Sequence, residues 1–112
     1  MTSKTEIGKA GEKEAVAHLK AKGYKILFTN YRNSRREIDI IAKYEETIVF
    51  VEVKKRKNDS YGSPESFVSL AQKKRICKAA EHFMRVEDWF GEIRFDIISI
   101  ENKEIIHFED AF

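Results

Sequence analysis

The segment Thr47–Lys55 constrains the fold most, because its apolar residues would occupy both faces of a β-strand. Ile48 and Phe50 point one way along an extended chain, while the three valines of the segment point the other. A strand that is buried on both faces lies inside a sheet. Glu52 and Lys54 continue the Ile48 face, so one side of this strand becomes charged at its C-terminal end. The pattern predicts a central strand that ends at a polar site.

A second strand is predicted at Glu37–Lys43, joined to the central strand by a turn at Glu45-Glu46. Tyr44 then faces Thr47, and the antiparallel register follows by counting back from the turn. Because a Glu-Glu pair suits positive φ poorly, a four-residue loop is favoured over a two-residue loop. Both loops preserve this register.

Two carboxylates face each other in this register. Asp39 lies opposite Glu52, and Glu37 lies opposite Lys54. Facing Cβ atoms are roughly 5 Å apart and like charges there destabilise a sheet, so the two acids require a cation. Carboxylate oxygens suit Mg²⁺ or Mn²⁺, which would polarise a phosphodiester and acidify a bound water. Lys54 would position that nucleophile, help to deprotonate it, or stabilise charge on the phosphate.

The alternative is a surface hairpin in which Lys54 merely balances the charges of Glu37 and Asp39. A glutamate-x-lysine pattern alone is a weak signal, but a facing Asp39–Glu52 pair costs free energy without structural benefit. Glu12 lies on the first predicted helix beside its apolar stripe. Spacing alone leaves open whether Glu12 reaches the same site.

The remaining pattern predicts one α+β domain spanning residues 1–112. At this length, with 42% hydrophobic residues, the chain can bury a single modest core. The predicted order is α-β-β-β-α-β-β. Its elements outside the central hairpin are a helix at Thr5–Lys22, a strand at Tyr24–Tyr31, a polar connection at Asn30–Arg36, a loop at Lys57–Pro64, a helix over Glu65–Val86 and a hairpin of Ile93–Ile100 with Glu104–Phe108.

Charge is distributed unevenly along the chain. Residues 1–78 carry 18 Lys/Arg against 10 Asp/Glu, whereas residues 79–112 carry 3 against 9. This asymmetry predicts a polyanion partner for the first part, and a solvated surface with an acidic end explains it equally well. The basic residues near the acidic pair that would bind phosphate are Arg32, Arg35, Arg36, Lys55, Arg56, Lys57 and Lys73.

The compartment is predicted to be the cytoplasm. The single cysteine, Cys77, cannot form an internal disulfide, which favours a reducing setting. The N-terminal residues have no apolar signal core. No apolar run approaches the roughly 20 residues of a membrane span. We therefore expect no association with a membrane.

Short segments along most of the chain resemble the YraN family, small bacterial proteins of unassigned activity placed in the restriction-endonuclease-like superfamily. The first part is also similar to archaeal Holliday junction resolvases. The matching segments are Gly11-Glu12 with Ala15 and Leu19, Gly23-Tyr24, Asn30 with Arg32, Glu37-Ile38-Asp39-Ile40-Ile41, Phe50-Val51-Glu52-Val53-Lys54, Tyr61-Gly62, Arg94-Phe95-Asp96 and Asp110-Ala111-Phe112.

The resemblance implies an αβββαβ restriction-endonuclease-like core, with a mixed central sheet flanked by helices and a C-terminal hairpin. It also implies a Mg²⁺-dependent site and a DNA substrate, branched or damaged. The resolvase helix glutamate corresponds to Glu12, the aspartate to Asp39, and the glutamate-x-lysine pair to Glu52 and Lys54. Glu12, Asp39 and Glu52 would bind the metal. All four residues would take part in phosphodiester hydrolysis.

The sequence departs from the family pattern at two positions. Arg36 replaces a glycine that usually precedes the Glu-Ile-Asp segment, and it would either tighten phosphate binding or obstruct the approach. Gln72 stands where the family often has lysine, so Gln72 would bind phosphate more weakly, or Lys73 would substitute for it. The resolvases work as dimers, which makes a homodimer an expectation to test, although no self-complementary apolar face is evident in the sequence.

Two other functions stay open on the sequence. The chain could be a nucleic-acid-binding module that keeps the fold without significant catalysis. It could also be a protein-interaction component of a repair or translocation system. Both are compatible with fold resemblance, because a fold alone does not establish an activity.

Overall fold

Five strands form one sheet that carries a helix on each face. The computed structural model describes the backbone of residues 4–56 and 68–112, and the side chains of residues 10–55 and 68–112. The predicted loop at Lys57–Pro64 and the beginning of the second predicted helix lie outside the described residues. So do Lys57, Tyr61 and the side chain of Arg56.

The order of elements is α-β-β-β-α-β-β, as predicted. The sheet order is β1-β2-β3-β4-β5. Strands β3 and β4 are parallel, and the other neighbouring pairs are antiparallel. This mixed sheet confirms the predicted α+β class with an αβββαβ core and a C-terminal hairpin. The elements are α1 (Lys4–Ala21), β1 (Lys25–Asn33), β2 (Arg36–Tyr44), β3 (Thr47–Arg56), α2 (Leu70–Val86), β4 (Glu92–Glu101) and β5 (Glu104–Phe108).

Strand β3 is the middle strand and separates two hydrophobic cores. Ile48 and Phe50 pack with α2, while Val49 and Val51 pack with α1. All four side chains are buried. The apolar character of both faces in the sequence is therefore explained by one helix covering each face, which confirms the predicted central position.

The first hairpin differs from the prediction. The stretch Asn30–Arg36 was expected to be a polar connection, but β1 continues to Asn33 and β2 begins at Arg36. The chain turns at Ser34 and Arg35, where Ser34 has a φ of 61°. Because β1 is an edge strand, its polar side chains can face water. A half-solvated edge strand therefore has the composition of a loop.

The turn between β2 and β3 is also shorter than predicted. Tyr44 pairs with Thr47, so the loop contains only two residues. Glu45 adopts a φ of 53°, a conformation that a non-glycine residue rarely takes. The predicted four-residue loop is wrong, but the register that both loops share is confirmed from Tyr44 back to Ile40.

Helix α2 begins at Leu70, later than predicted. Ser69 caps it, and its Oγ accepts a hydrogen bond from the Gln72 N–H at 3.1 Å. The buried face of α2 consists of Ile76, Ala79, Ala80 and Phe83. Of the helices that the structure describes, neither is long and apolar enough to cross a membrane.

A fully buried aspartate anchors the C-terminal hairpin. Asp96 accepts two hydrogen bonds from Arg94, both at 2.8 Å, and one from the Asp110 N–H at 3.0 Å. His107 Nε2 lies 2.7 Å from Asp96 Oδ2. Burial would raise the pKa of Asp96, but the hydrogen bonds from His107, Arg94 and Asp110 hold that pKa below its usual value. The carboxylate is thus stabilised in its charged form.

We predict that Asp96→Asn lowers the free energy of unfolding by about 3 kcal/mol at pH 7, because Arg94 loses the buried carboxylate with which it makes two hydrogen bonds. Urea denaturation measures this change. Because the folded pKa of Asp96 lies below the unfolded value, the stability it provides is lost as the pH falls through the folded pKa, below about pH 4. The variant should lose less stability than the wild type over that acid range.

Glu109→Gln is the matched control. Glu109 is half-exposed and lies 3.8 Å from Arg94, so its removal should change the free energy of unfolding by less than about 1 kcal/mol. Equal effects of the two substitutions would show that Asp96 does not anchor the hairpin.

Candidate metal centre

The site forms where strands β2 and β3 stop pairing. Their ladder ends at Ile40 and Val51, one position before the predicted Asp39–Glu52 pair. Asp39 Oδ2 instead accepts a hydrogen bond from the Val53 N–H at 2.8 Å. The aspartate side chain therefore binds a backbone group of the neighbouring strand. The predicted facing pair is not part of the ladder, although the two acids still lie close together.

The two-residue alternation of β2 breaks at the same place. Ile40 packs in the core beneath α1, and strict alternation would place Ile38 there too. Ile38 packs beneath α2 instead, together with Ile41. Asp39 thus occupies the position at which the strand changes face.

Three carboxylates converge on the α1 side of this position. One oxygen each from Glu12, Glu37 and Asp39 lies within 4.8 Å of the other two. Helix α1 carries Glu12, and Asn30 of β1 donates a hydrogen bond to Glu12 Oε2 at 2.8 Å. Asn30 has a φ of 52°, which asparagine tolerates better than most residues. The structure therefore brings Glu12 to Asp39, which spacing alone left open.

Glu37 is the acidic residue that the sequence interpretation assigned to a different role. It was expected to face Lys54, but it joins Glu12 and Asp39. The signal for this role was its spacing, since residues two apart on a strand share a face. The β2–β3 ladder ends at Ile40, so Glu37 does not face Lys54.

Glu52 completes the acidic group from the α2 side. Its side chain is largely buried and lies 3.4 Å from Lys54 Nζ. Gln72 Nε2 donates to Glu52 Oε1 at 3.0 Å. Gln72, expected at the phosphate, therefore contacts the glutamate in this structure. Glu52 and Lys54 share one face of β3, as predicted.

The pKa values of Asp39 and Glu52 reflect the crowding of these carboxyl groups. Burial raises the pKa of Asp39 to about 7, and the negative charge of Glu52 contributes further to the rise. Burial also raises the pKa of Glu52, while Lys54 and a side-chain hydrogen bond with Asp39 act in the opposite direction. A hydrogen bond between two carboxyl groups requires a shared proton. Protonation of one of the two acids would therefore relieve their mutual repulsion.

The donor set fits a small divalent cation. Mg²⁺ binds oxygen at about 2.1 Å, so two of its ligand oxygens lie at most about 4.2 Å apart. The spacing of the three carboxylates needs only slight contraction to meet this limit. The cation would also compensate the negative charges that meet at Asp39. Glu12, Glu37 and Asp39 could hold such an ion, and Glu52 lies beside Asp39.

The predicted phosphate-binding residues occupy different positions around this centre. Arg32 and Arg35 are exposed at the end of the first hairpin. Arg36 donates to Asn33 Oδ1 at 3.4 Å. Lys55 and Lys73 each lie close to another side chain of the protein. Lys55 pairs with Glu14 at 3.1 Å, and Lys73 Nζ lies 5.9 Å from the centre of the Phe112 ring.

The chain matches one protein family along most of its length. The sequence pattern of the uncharacterised protein family UPF0102 matches residues 11–100. A UPF0102 protein of Thermodesulfovibrio yellowstonii is 43% identical, covering 98% of each chain. One from Flavobacterium psychrophilum is 46% identical, covering 100% of this chain and 98% of the relative. The chain belongs to the UPF0102 family, which is the YraN family of the sequence resemblance.

We predict that Asp39→Asn raises the free energy of unfolding by roughly 1–3 kcal/mol in EDTA at pH 8. The substitution removes a buried charge beside Glu52, and the amide oxygen can still accept from Val53. Because the folded pKa of Asp39 is raised, wild-type stability should fall as the pH rises from about 4 to about 7. The variant should show a smaller fall in urea denaturation.

Asp88→Asn is the matched control, since Asp88 is exposed and its φ of 55° suits asparagine. Asp88→Asn should have the same free energy of unfolding as the wild type at pH 8 and over the range from about pH 4 to about pH 7. If Asp39→Asn is no more stable than Asp88→Asn at pH 8, the buried carboxylates do not oppose each other as described.

Proposed function

We propose that this protein is a metal-dependent nuclease that hydrolyses phosphodiester bonds in DNA, with branched or damaged DNA as the substrate class. The observation that supports it is the convergence of Glu12, Glu37 and Asp39 at the open end of the β2–β3 ladder, with Glu52 and Lys54 beside Asp39. Backbone and side-chain hydrogen bonds orient Asp39 and Glu12 there. A cytoplasmic location is part of the same proposal.

Asp39 and Glu52 would hold Mg²⁺ or Mn²⁺, with Glu12 as a further ligand and Glu37 beside them. The ion would supply Lewis acidity toward a phosphate oxygen and make a bound water more acidic. Asn30 fixes the direction of Glu12, and the Val53 N–H fixes that of Asp39. The protein thus provides an oriented set of hard oxygen ligands.

Lys54 would act on the phosphate or on the attacking water. Its amine lies 3.4 Å from Glu52 and carries a positive charge at the mouth of the site. A cation so placed stabilises negative charge that develops on the phosphate in the transition state. The exposed Arg32 and Arg35 would bind neighbouring phosphates of the same strand.

We predict that the wild type cleaves DNA when Mg²⁺ or Mn²⁺ is present and that Asp39→Asn lowers the rate at least about a hundredfold, because a metal ligand is lost. The assay compares linear, flapped and four-way DNA on denaturing gels. Asp88→Asn, with the same chemical change at an exposed position, should cleave like the wild type.

The nuclease proposal fails if Asp39→Asn and the wild type cleave equally, since the activity would then come from elsewhere. It also fails if no DNA is cleaved in either metal under conditions in which the protein binds DNA.

A catalytically inactive DNA-binding module is the second candidate. Its support is that Glu52 already has Lys54 and Gln72 as partners, so the charge of this acid is compensated without an ion. We predict for this candidate that binding in EDTA persists in Asp39→Asn and weakens at least about tenfold in Arg32→Ala/Arg35→Ala, because phosphate contacts are lost. A band-shift titration measures it, and a metal requirement for binding would exclude it.

A further inference from the structure

A groove of about 470 Å³ lies between α1 and β1 and opens beside the acidic centre. Glu12 and Asn30, which hydrogen-bond each other, form the end nearest that centre. Val16 and Ala17 of α1 form an apolar wall, and the exposed Lys13 and Lys20 also line the groove. None of these residues other than Glu12 belongs to the acidic group described above.

We propose that this groove binds an unpaired nucleotide adjoining the phosphate that is cleaved. The inference deepens the proposed nuclease function and rests on it for the position of that phosphate. It assigns to the protein a substrate with a single-stranded segment, such as a flap or a frayed branch, in preference to an intact duplex.

The size of the groove sets the class of ligand. Its volume lies in the range of sites that bind small molecules, which is enough for a nucleotide but not for a double helix. Glu12, Val16 and Lys20 follow each other at four-residue intervals on α1. At 1.5 Å per residue, this face extends about 12 Å away from the acidic centre. The groove can therefore follow a single strand over a few nucleotides.

The chemistry of the lining matches the parts of a nucleotide. The apolar wall of Val16 and Ala17 offers a surface for a base or a sugar, while Lys13 and Lys20 offer positive charge for phosphate. Glu12 would repel a phosphate by itself. A cation bound by Glu12 and Asp39 would reverse that effect, so the cleaved phosphate is placed at this end and the unpaired base further along.

The topology leaves an open path to the groove. Strand β1 is the first strand of the sheet and pairs only with β2 among the described elements. Because no described strand covers its outer edge, a nucleic-acid strand can enter from that side and reach Glu12 without crossing the core.

The test compares the binding of two kinds of DNA. One is a short duplex that carries a single-stranded flap at either the 3′ or the 5′ end of a strand, and the other is the blunt duplex of the same sequence. The wild type is used with Ca²⁺, a hard cation that takes oxygen ligands, and denaturing gels check that the DNA stays intact during the measurement. Flapped DNA should bind about fivefold or more tighter than blunt DNA by fluorescence anisotropy. Ala17→Trp fills the groove and should abolish that preference.

Ala10→Trp is the matched control, since Ala10 is exposed on the same helix and does not line the groove. It should keep the preference for flapped DNA. The proposal is overturned if flapped and blunt DNA bind equally, or if Ala17→Trp and Ala10→Trp behave alike.

Lys20→Ser provides a second test that does not require filling the groove. It should lower the slope of log affinity against log salt concentration by about one for flapped DNA. Lys25→Ser, an exposed lysine of β1 outside the groove, should not change that slope. Equal slopes for Lys20→Ser and Lys25→Ser would contradict the proposal. Cleavage by Asp39→Asn would instead refute the metal-centre assignment, and the binding preference would still test the groove.

Discussion

The hydrogen bond from the Val53 N–H to Asp39 Oδ2 is the interaction on which the site depends. It lies where the β2–β3 ladder ends and binds a carboxylate to the backbone of the neighbouring strand. Because Asp39 is held there, Glu12 and Glu37 meet it from the α1 side and Glu52 from the α2 side. The centre of the sheet thus supplies rigid support for a crowded acidic group.

The crowding of these carboxylates costs free energy, which interactions with the surrounding residues partly offset. Burial raises the pKa of both Asp39 and Glu52, so each resists ionisation at the end of an apolar strand. Lys54 and Gln72 stabilise Glu52, and Asn30 adopts a left-handed conformation while contacting Glu12. Strained or destabilised positions often mark functional sites, and here they surround a single point. Membership of the UPF0102 family does not identify an activity, and the proposed function depends on this geometry.

The sequence predicted the parts of the structure that depend on periodicity. The two apolar faces of β3 indicated its central position, and the pattern of charges at its end located Glu52 and Lys54 on one face. The register near the turn was also predictable, because a two-residue and a four-residue loop share it. Arg94 and Asp96 lie two residues apart on β4 and form an ion pair, and His107 joins them through the folding of the last hairpin.

What could not be predicted depends on tertiary packing. The end of the β2–β3 ladder has no marker in the local sequence, so the position of Glu37 beside Glu12 was missed. The end of the edge strand β1 has the composition of a loop, because its solvated residues are polar.

The most direct test of the central claim is a crystal soaked in Mn²⁺ and measured for anomalous scattering. The account predicts one strong peak within about 2.5 Å of an Asp39 carboxylate oxygen, with Glu12 or Glu52 as a second ligand. A crystal that binds Mn²⁺ only elsewhere, or that shows no peak at these carboxylates at saturating Mn²⁺, would contradict it.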